Sequence, residues 1–184
     1  PNELTLADFG WRAFQEQQLA TAYMPTATAV RVLAVHRSVL HVAGHGLNCT
    51  LRLPTGWANG PVAVGDWLLM DAPEGRLIER LERVSLFRRR APGTDRKEQL
   101  IAANVDTLLV MSSCNQDFSE ARIERYLALA LEAGVMPVIV LSKADLCDDT
   151  AAYVSAASRL SPGIIVETVN ALKRESLACL NPWL

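Results

Sequence analysis

Met136-Pro-Val-Ile-Val-Leu-Ser-Lys-Ala-Asp-Leu146 decides the architecture of the second half of this chain. Its first six residues form an unbroken apolar run that ends in turn-forming residues. Such a run reads as a strand covered on both faces, the kind that parallel sheets use. Thr107-Leu-Leu-Val-Met-Ser112 upstream and Ile164-Ile-Val-Glu-Thr168 downstream have the same character. Helical patterns separate them. Asp117 to Ala133 carries a capping signal in Asp117 and Glu120 and an apolar stripe of Ile123, Leu127, Ala130 and Leu131, and Gly134 stands where a C-terminal cap belongs. Residues 149–160 read as a second helix, stopped by Ser161-Pro162-Gly163, and Lys173 to Leu180 as the start of a third. Alternation at these lengths predicts right-handed βαβ units in a parallel sheet. Three buried parallel strands need further neighbours, so this half is expected to be incomplete at Leu184.

Upstream the period changes. Residues 10–20 predict a short helix with Trp11, Phe14 and Leu19 near one side. Five strands are then expected: Ala27 to His36, Val39 to Ala43, Leu47 to Leu53, Gly65 to Asp71 and Arg76 to Val84. Gly44-His45-Gly46, Pro54-Thr55-Gly56, Asn59-Gly60-Pro61 and Pro73-Glu74-Gly75 separate them as turns, a pattern that predicts a small β-barrel. Trp67, inside an apolar strand, is expected in the core. Residues 86–104, with Arg88-Arg89-Arg90 and Arg96-Lys97, read as a linker. The expected division is therefore a helical extension at 1–25, a barrel at 26–85, a linker at 86–104 and the first part of a parallel-sheet domain at 105–184.

Half of the 184 residues are apolar and 21% are charged, as in folded globular proteins. No stretch is long and apolar enough for a transmembrane helix, and no secretory leader is read at the start. Cys49, Cys114, Cys147 and Cys179 are widely spaced, with no C-x-x-C pair, and are expected to be free thiols of a cytoplasmic protein. The charge is uneven. Residues 22–90 hold nine Arg and five acidic residues, an excess of +4, while residues 91–184 hold eight basic and twelve acidic residues, a balance of −4. The basic segment is the candidate for a polyanion partner.

Ser142-Lys143-Ala144-Asp145 follows the second parallel strand. Ligands of open parallel sheets bind beyond the carboxyl ends of the strands. A carboxylate there accepts two parallel hydrogen bonds from the ring N–H and exocyclic amine of guanine, an arrangement that adenine lacks. Charge-assisted pairs of this kind contribute on the order of a few kcal/mol. The Lys143 stem can lie along the base while its ammonium stays wet, and Ala144 keeps the turn tight. Asn170-Ala171-Leu172 ends the third strand, where a backbone N–H can donate to the guanine carbonyl oxygen.

Gln99-Leu-Ile-Ala-Ala-Asn-Val-Asp106, Asp117-Phe-Ser, Arg122-Ile-Glu-Arg-Tyr-Leu127 and Pro137-Val-Ile-Val-Leu-Ser-Lys-Ala-Asp-Leu146 together resemble the bacterial ribosome small-subunit-dependent GTPase A family of circularly permuted GTPases. Gly65-Asp66-Trp67 and Gly10-Trp11 also look like that family. The resemblance implies an OB-type barrel followed by a GTPase domain whose guanine-specificity motifs come first. It implies GTP hydrolysis late in maturation of the small ribosomal subunit, contact with its rRNA, GTP or GDP with Mg²⁺ as ligands, and zinc only in a later domain. By resemblance, Lys143 and Asp145 hold the base-reading positions and Asn170-Ala171-Leu172 the later loop. Ser142 replaces the motif's usual Asn, and Asn170 its usual Ser. No G-x-x-x-x-G-K-[ST] occurs in the 184 residues. That loop supplies the phosphate cradle and Mg²⁺-binding hydroxyl, so the chain alone is expected to hydrolyse no GTP and to be an N-terminal portion of the family protein.

OB barrels bind single-stranded nucleic acid through basic grooves and stacked aromatics. The candidates are Arg37, Arg52, Trp57, Arg76, Arg88, Arg89 and Arg90. His36, His41 and His45 lack acidic or Cys partners at metal spacing, so no metal site is expected. Two alternatives stay open: an RNA-binding module whose α/β half only docks, and an unrelated α/β enzyme using Asp145 as acid or base.

Overall fold

The computed structural model describes residues 3–21, 27–71, 74–90 and 98–184, and the chain divides into two units, Pro1–Val105 and Asp106–Leu184. In the first unit, apolar residues two apart place one side of each strand inward. Strands β1 (Ala27–His36), β2 (Val39–Gly44), β3 (Leu47–Arg52), β4 (Trp67–Asp71) and β5 (Arg76–Arg80) form one antiparallel sheet in the order β3-β2-β1-β4-β5. Val30, Val32, Leu40, Val42, Leu51, Leu68, Met70 and Leu77 fill one side of it. Full burial of each such side chain contributes about 1.5–3 kcal/mol. Among the described residues no ladder pairs β3 with β5, so the expected closed barrel is not seen.

The opposite side of β4 is also covered. Trp67 and Leu69 pack with Ala29 and Leu81 beneath Leu6, Phe9, Trp11 and Leu19. Trp11 meets Trp67 edge to face, 4.8 Å between ring centroids. Trp67 thus takes its expected core position. The N-terminal helix α1 (Ala13–Thr21) is tied down by Gln18, whose side-chain oxygen Oε1 accepts the Glu82 N–H at 2.6 Å. Phe14 is exposed, so it does not join Trp11 and Leu19 in the packed face as expected.

Residues 86–104 are not a simple linker. Strand β6 (Leu86–Arg90) pairs antiparallel with β7 (Glu98–Ala103). The sequence hides this because Phe87 and Ala103 are the buried residues of a ladder interrupted by a bulge. Arg96 and Lys97 lie outside the described residues. Gly65 explains how the ribbon reaches β4: its φ is 89°, and a Cβ there would lie 2.1 Å from the Ala103 carbonyl oxygen.

In the second unit β8 (Thr107–Ser113), β9 (Met136–Ser142) and β10 (Ile165–Thr168) are parallel, in the order β10-β9-β8. Helices α2 (Glu120–Ala133) and α3 (Ala151–Ser158) follow β8 and β9. Val138, Ile139, Val140 and Leu141 are fully buried, as the unbroken apolar run predicts for a central strand. The strand β8 departs from that expectation. It lies at a sheet edge, and Met111 is 53% exposed. Helix α2 is capped by Ser119, which accepts the Arg122 N–H at 3.3 Å, and not by Asp117. Gly134 closes it with φ 67°, as expected. Leu131 leaves the expected stripe and is 83% exposed, because Ile123, Leu127 and Ala130 alone meet the sheet. The last helical segment, Arg174–Trp183, is a run of 3-10 turns and not an α-helix.

Candidate functional site

The carboxyl ends of β8, β9 and β10 carry the candidate site. Parallel hydrogen bonding sets these ends side by side: Ser113 is registered with Ser142, and Leu141 with Thr168. Ser142 ties two of them. Its hydroxyl donates to the Ser112 carbonyl at 2.8 Å, and its own carbonyl accepts the Cys114 N–H at 2.9 Å. The hydroxyl therefore braces the neighbouring strand.

Lys143 turns the chain. Its φ of 59° is left-handed, and it heads a short 3-10 turn, Ala144–Leu146. The Ala144 N–H donates to the Val169 carbonyl at 3.3 Å, and the Val169 N–H to Leu141 at 2.9 Å. These bonds bring the Ser142–Asp145 loop beside the Asn170–Leu172 loop. The Lys143 ammonium lies 3.8 Å from the Asp117 carboxylate, both well exposed. Asp117, read from the sequence as a cap, is thus a neighbour of the site. Exposure makes this pair worth little in stability.

Asp145 is exposed, and among the described residues nothing donates a hydrogen bond to its carboxylate. The adjacent loop leaves a matching donor. The Asn170 N–H goes to the Ser176 hydroxyl at 2.8 Å, and the Leu172 N–H to the Asn170 side-chain oxygen at 2.9 Å. Only the Ala171 N–H of the three has no acceptor among the described residues. Asn170 shapes this loop through an Asx turn, while the Leu172 side chain is 92% exposed. A rigid turn with an open carboxylate beside a loop with an open N–H can read a flat ring that has donors on one edge and an acceptor on another. The roles of Ser112, Asp117 and Ser176 have no signal in the sequence, since each depends on contacts across strands or loops.

Burial pushes the Cys114 thiol up from its ordinary value, with Cys147 adding to the rise, and burial does the same at Cys49 and Cys179. All four cysteines are free thiols; Cys114 is buried and the others are half-buried.

The basic candidates of the first unit are not gathered in one place. Arg37 lies in the β1–β2 turn and Arg52 at the end of β3, both exposed. Arg76 starts β5 opposite Asp71, which pairs with Ala27 at the far end of β1, and its guanidinium is 3.2 Å from Glu74. Arg88 pairs with Glu98 at 3.4 Å, and Arg89 donates to Gln99 at 3.0 Å. The Arg90 side chain lies outside the described residues. Trp57 packs half-buried against the sheet core and does not stand out as a stacking platform. His36 and His41 meet edge to face at 5.8 Å. Among the described residues no three His, Cys, Asp or Glu form a metal-holding group.

Known proteins resemble this chain in sequence and in fold. A family model described as RsgA GTPase matches residues 80–184. The small ribosomal subunit biogenesis GTPase RsgA 2 of Vibrio parahaemolyticus is 44% identical over 178 residues, which cover 97% of this chain and 49% of that protein. The crystal structure of YjeQ from Thermotoga maritima superposes with TM-score 0.64 at 21% identity, over 86% of this chain and 57% of that one. That of YloQ, a circularly permuted GTPase, gives TM-score 0.63 at 20% identity, over 88% and 58%. At such identities the two structures speak for the fold alone, a mixed one with an antiparallel and a parallel sheet. The chain spans about half the length of the curated relatives it matches. On the match over residues 80–184 and the near-complete coverage by its relative, the chain belongs to the RsgA GTPase family.

Proposed function

We propose that this chain is the guanine-reading part of a cytoplasmic GTP-binding and GTP-hydrolysing factor that acts late in assembly of the small ribosomal subunit. The observation that carries the reading is Asp145, an exposed carboxylate on a braced turn with no donor to it among the described residues. Asp145 takes the ring N–H and exocyclic amine of guanine, the Ala171 N–H takes its carbonyl oxygen, and the Lys143 stem covers one face. Ser142, Ala144, Asn170 and Leu172 set the shape of the two loops.

The residues present fit the base and not the triphosphate. Magnesium would act at the phosphates, and no phosphate loop occurs in the 184 residues, so the chain alone turns over no GTP. Zinc, implied for a later domain of the family, enters no step of this chain. The five-stranded sheet serves as an OB-type rRNA contact, supported by the excess of arginine over acid in residues 22–90.

Calorimetry on the full-length gene product tests this reading. GDP should bind and ADP should not, and Asp145→Ala should lose the GDP signal. Equal affinity for adenine and guanine nucleotides would sink the guanine reading and favour an RNA-binding module with a docking α/β half.

A further inference from the structure

Loops leave the carboxyl ends of all three parallel strands, and those after β9 and β10 form the candidate site. The loop after β8, residues 114–119, stands beside them because Ser113 is registered with Ser142. A chain of bonds fixes this loop. The Ser113 hydroxyl donates to the Asn115 side-chain oxygen at 2.7 Å, and the same oxygen accepts the Asp117 N–H at 3.0 Å. The Asn115 carbonyl accepts the Phe118 N–H at 3.0 Å, and the Arg122 guanidinium donates to the Asp117 carbonyl. The Phe118 ring meets Tyr153 of α3 edge to face, 5.3 Å between centroids. The backbone around Asp117 is thus held on both sides.

The Asp117 carboxylate has no structural task that explains it. The cap of α2 is Ser119. One carboxylate oxygen, Oδ2, accepts the Asn115 amide at 3.4 Å and faces the Lys143 ammonium at 3.8 Å. The other has no partner among the described residues. Both Asp117 and Lys143 are exposed, so their pair adds little to stability. Lys143 carries a long flexible stem on a left-handed backbone, and its ammonium has no other ion pair among the described residues. In the site that stem lies along the base while the ammonium stays wet. An untethered lysine samples many rotamers and must be ordered when the base arrives, which costs affinity.

We propose that Asp117 is a positioning residue for the nucleotide: its carboxylate, oriented by Asn115, tethers the Lys143 ammonium so that the stem is already laid where the base stacks. The inference rests on the guanine reading above and extends the site to the loop after β8. Asp117 acts through Lys143 and does not touch the base, so it raises affinity and leaves the choice of base to Asp145. Ordering one long side chain in advance is worth about fivefold in affinity.

A double-mutant cycle in GDP affinity, measured by calorimetry on the full-length protein, tests the proposal. Asp117→Asn keeps the shape of the side chain and removes its charge. It should weaken GDP binding about fivefold in the parent. In a Lys143→Met background, where the stem carries no ammonium to tether, it should change nothing. The loss should also shrink toward none as salt rises from about 0.05 to 1 M, because an exposed ion pair is screened. If Lys143→Met binds no GDP, the salt series alone decides. An Asp117→Asn variant that binds GDP like the parent at low salt, a loss of the same size at every salt concentration, or an equal loss with and without the Lys143 ammonium overturns the inference and leaves the guanine reading intact. A lowered urea midpoint for Asp117→Asn would mark the residue as structural and overturn it too. A parent that binds ADP as well as GDP overturns the guanine reading, and the proposal with it.

Discussion

In the unit Pro1–Val105, Asp66 is fully buried. Its carboxylate takes the Arg83 guanidinium through two bonds of 2.6 and 2.7 Å and the Ala63 N–H at 2.7 Å. In the unit Asp106–Leu184, Asp145 is exposed, and nothing among the described residues donates to it. Both aspartates belong to motifs that the sequence singles out, Gly65-Asp66-Trp67 and Ser142-Lys143-Ala144-Asp145. The first motif is architectural. Gly65 admits the Ala103 backbone, Asp66 anchors Arg83, and Trp67 fills the core. The second has its backbone braced and its side chains left open. A saturated carboxylate holds a fold together, and an unsaturated one on a braced turn is open to the ligand proposed above.

That contrast can be broken at several points. Asp66→Ala should cost about 3–5 kcal/mol, since it strands the Arg83 charge in a half-buried site. Urea unfolding followed by Trp fluorescence measures this, and a change as small as that of a surface substitution would remove the architectural role. Gly65→Ala should cost at least about 2 kcal/mol, because the residue must hold φ 89° with its Cβ against a carbonyl oxygen. In the second unit the same method should show a loss of about 1 kcal/mol for Ser119→Ala, which removes the cap of α2. Asp117→Ala should change stability by less than about 0.5 kcal/mol, and a loss comparable to that of Ser119→Ala would restore Asp117 as the cap.

The smallest effect is the pH response of Cys114. Burial holds its thiol above the ordinary value, so the folded state binds the proton more tightly than the unfolded one. This contribution is complete below the unfolded value, about 8.5, and fades as pH rises through the folded one. Stability of the second unit should decline on the alkaline side, and less so in Cys114→Ala; identical pH profiles would contradict the assignment.

Much of the second unit is legible in the sequence because β9 is central. A strand buried on both faces must be apolar throughout, and Met136 to Leu141 is. The strand β8 has the same composition, yet Met111 faces solvent, because composition does not reveal which strand lies at an edge. The ribbon of β6 and β7 escapes sequence reasoning because its bulge breaks the alternation and an apolar residue, Ile101, is exposed. The cap falls on Ser119 and not Asp117 because the short side chain nearest the first free N–H groups wins locally. At the candidate site, the turn at Lys143–Asp145 and the Asn170 loop lie beyond strand ends, as the spacing predicts. Ser142 as a strand brace and Ser176 as acceptor of the Asn170 N–H cannot be read from spacing, since both bonds cross between elements that only the fold brings together.

In the proposed function Asp145 chooses the base. Replacing its carboxylate by an amide exchanges one acceptor for a donor, which suits a base with a carbonyl where guanine carries its amine. The most direct measurement is therefore calorimetric affinity of the full-length protein and its Asp145→Asn variant for GDP and xanthosine diphosphate. The parent should prefer GDP and the variant xanthosine diphosphate, with each preference on the order of tenfold or more. A variant that keeps the parent's preference at undiminished affinity would contradict base reading by Asp145.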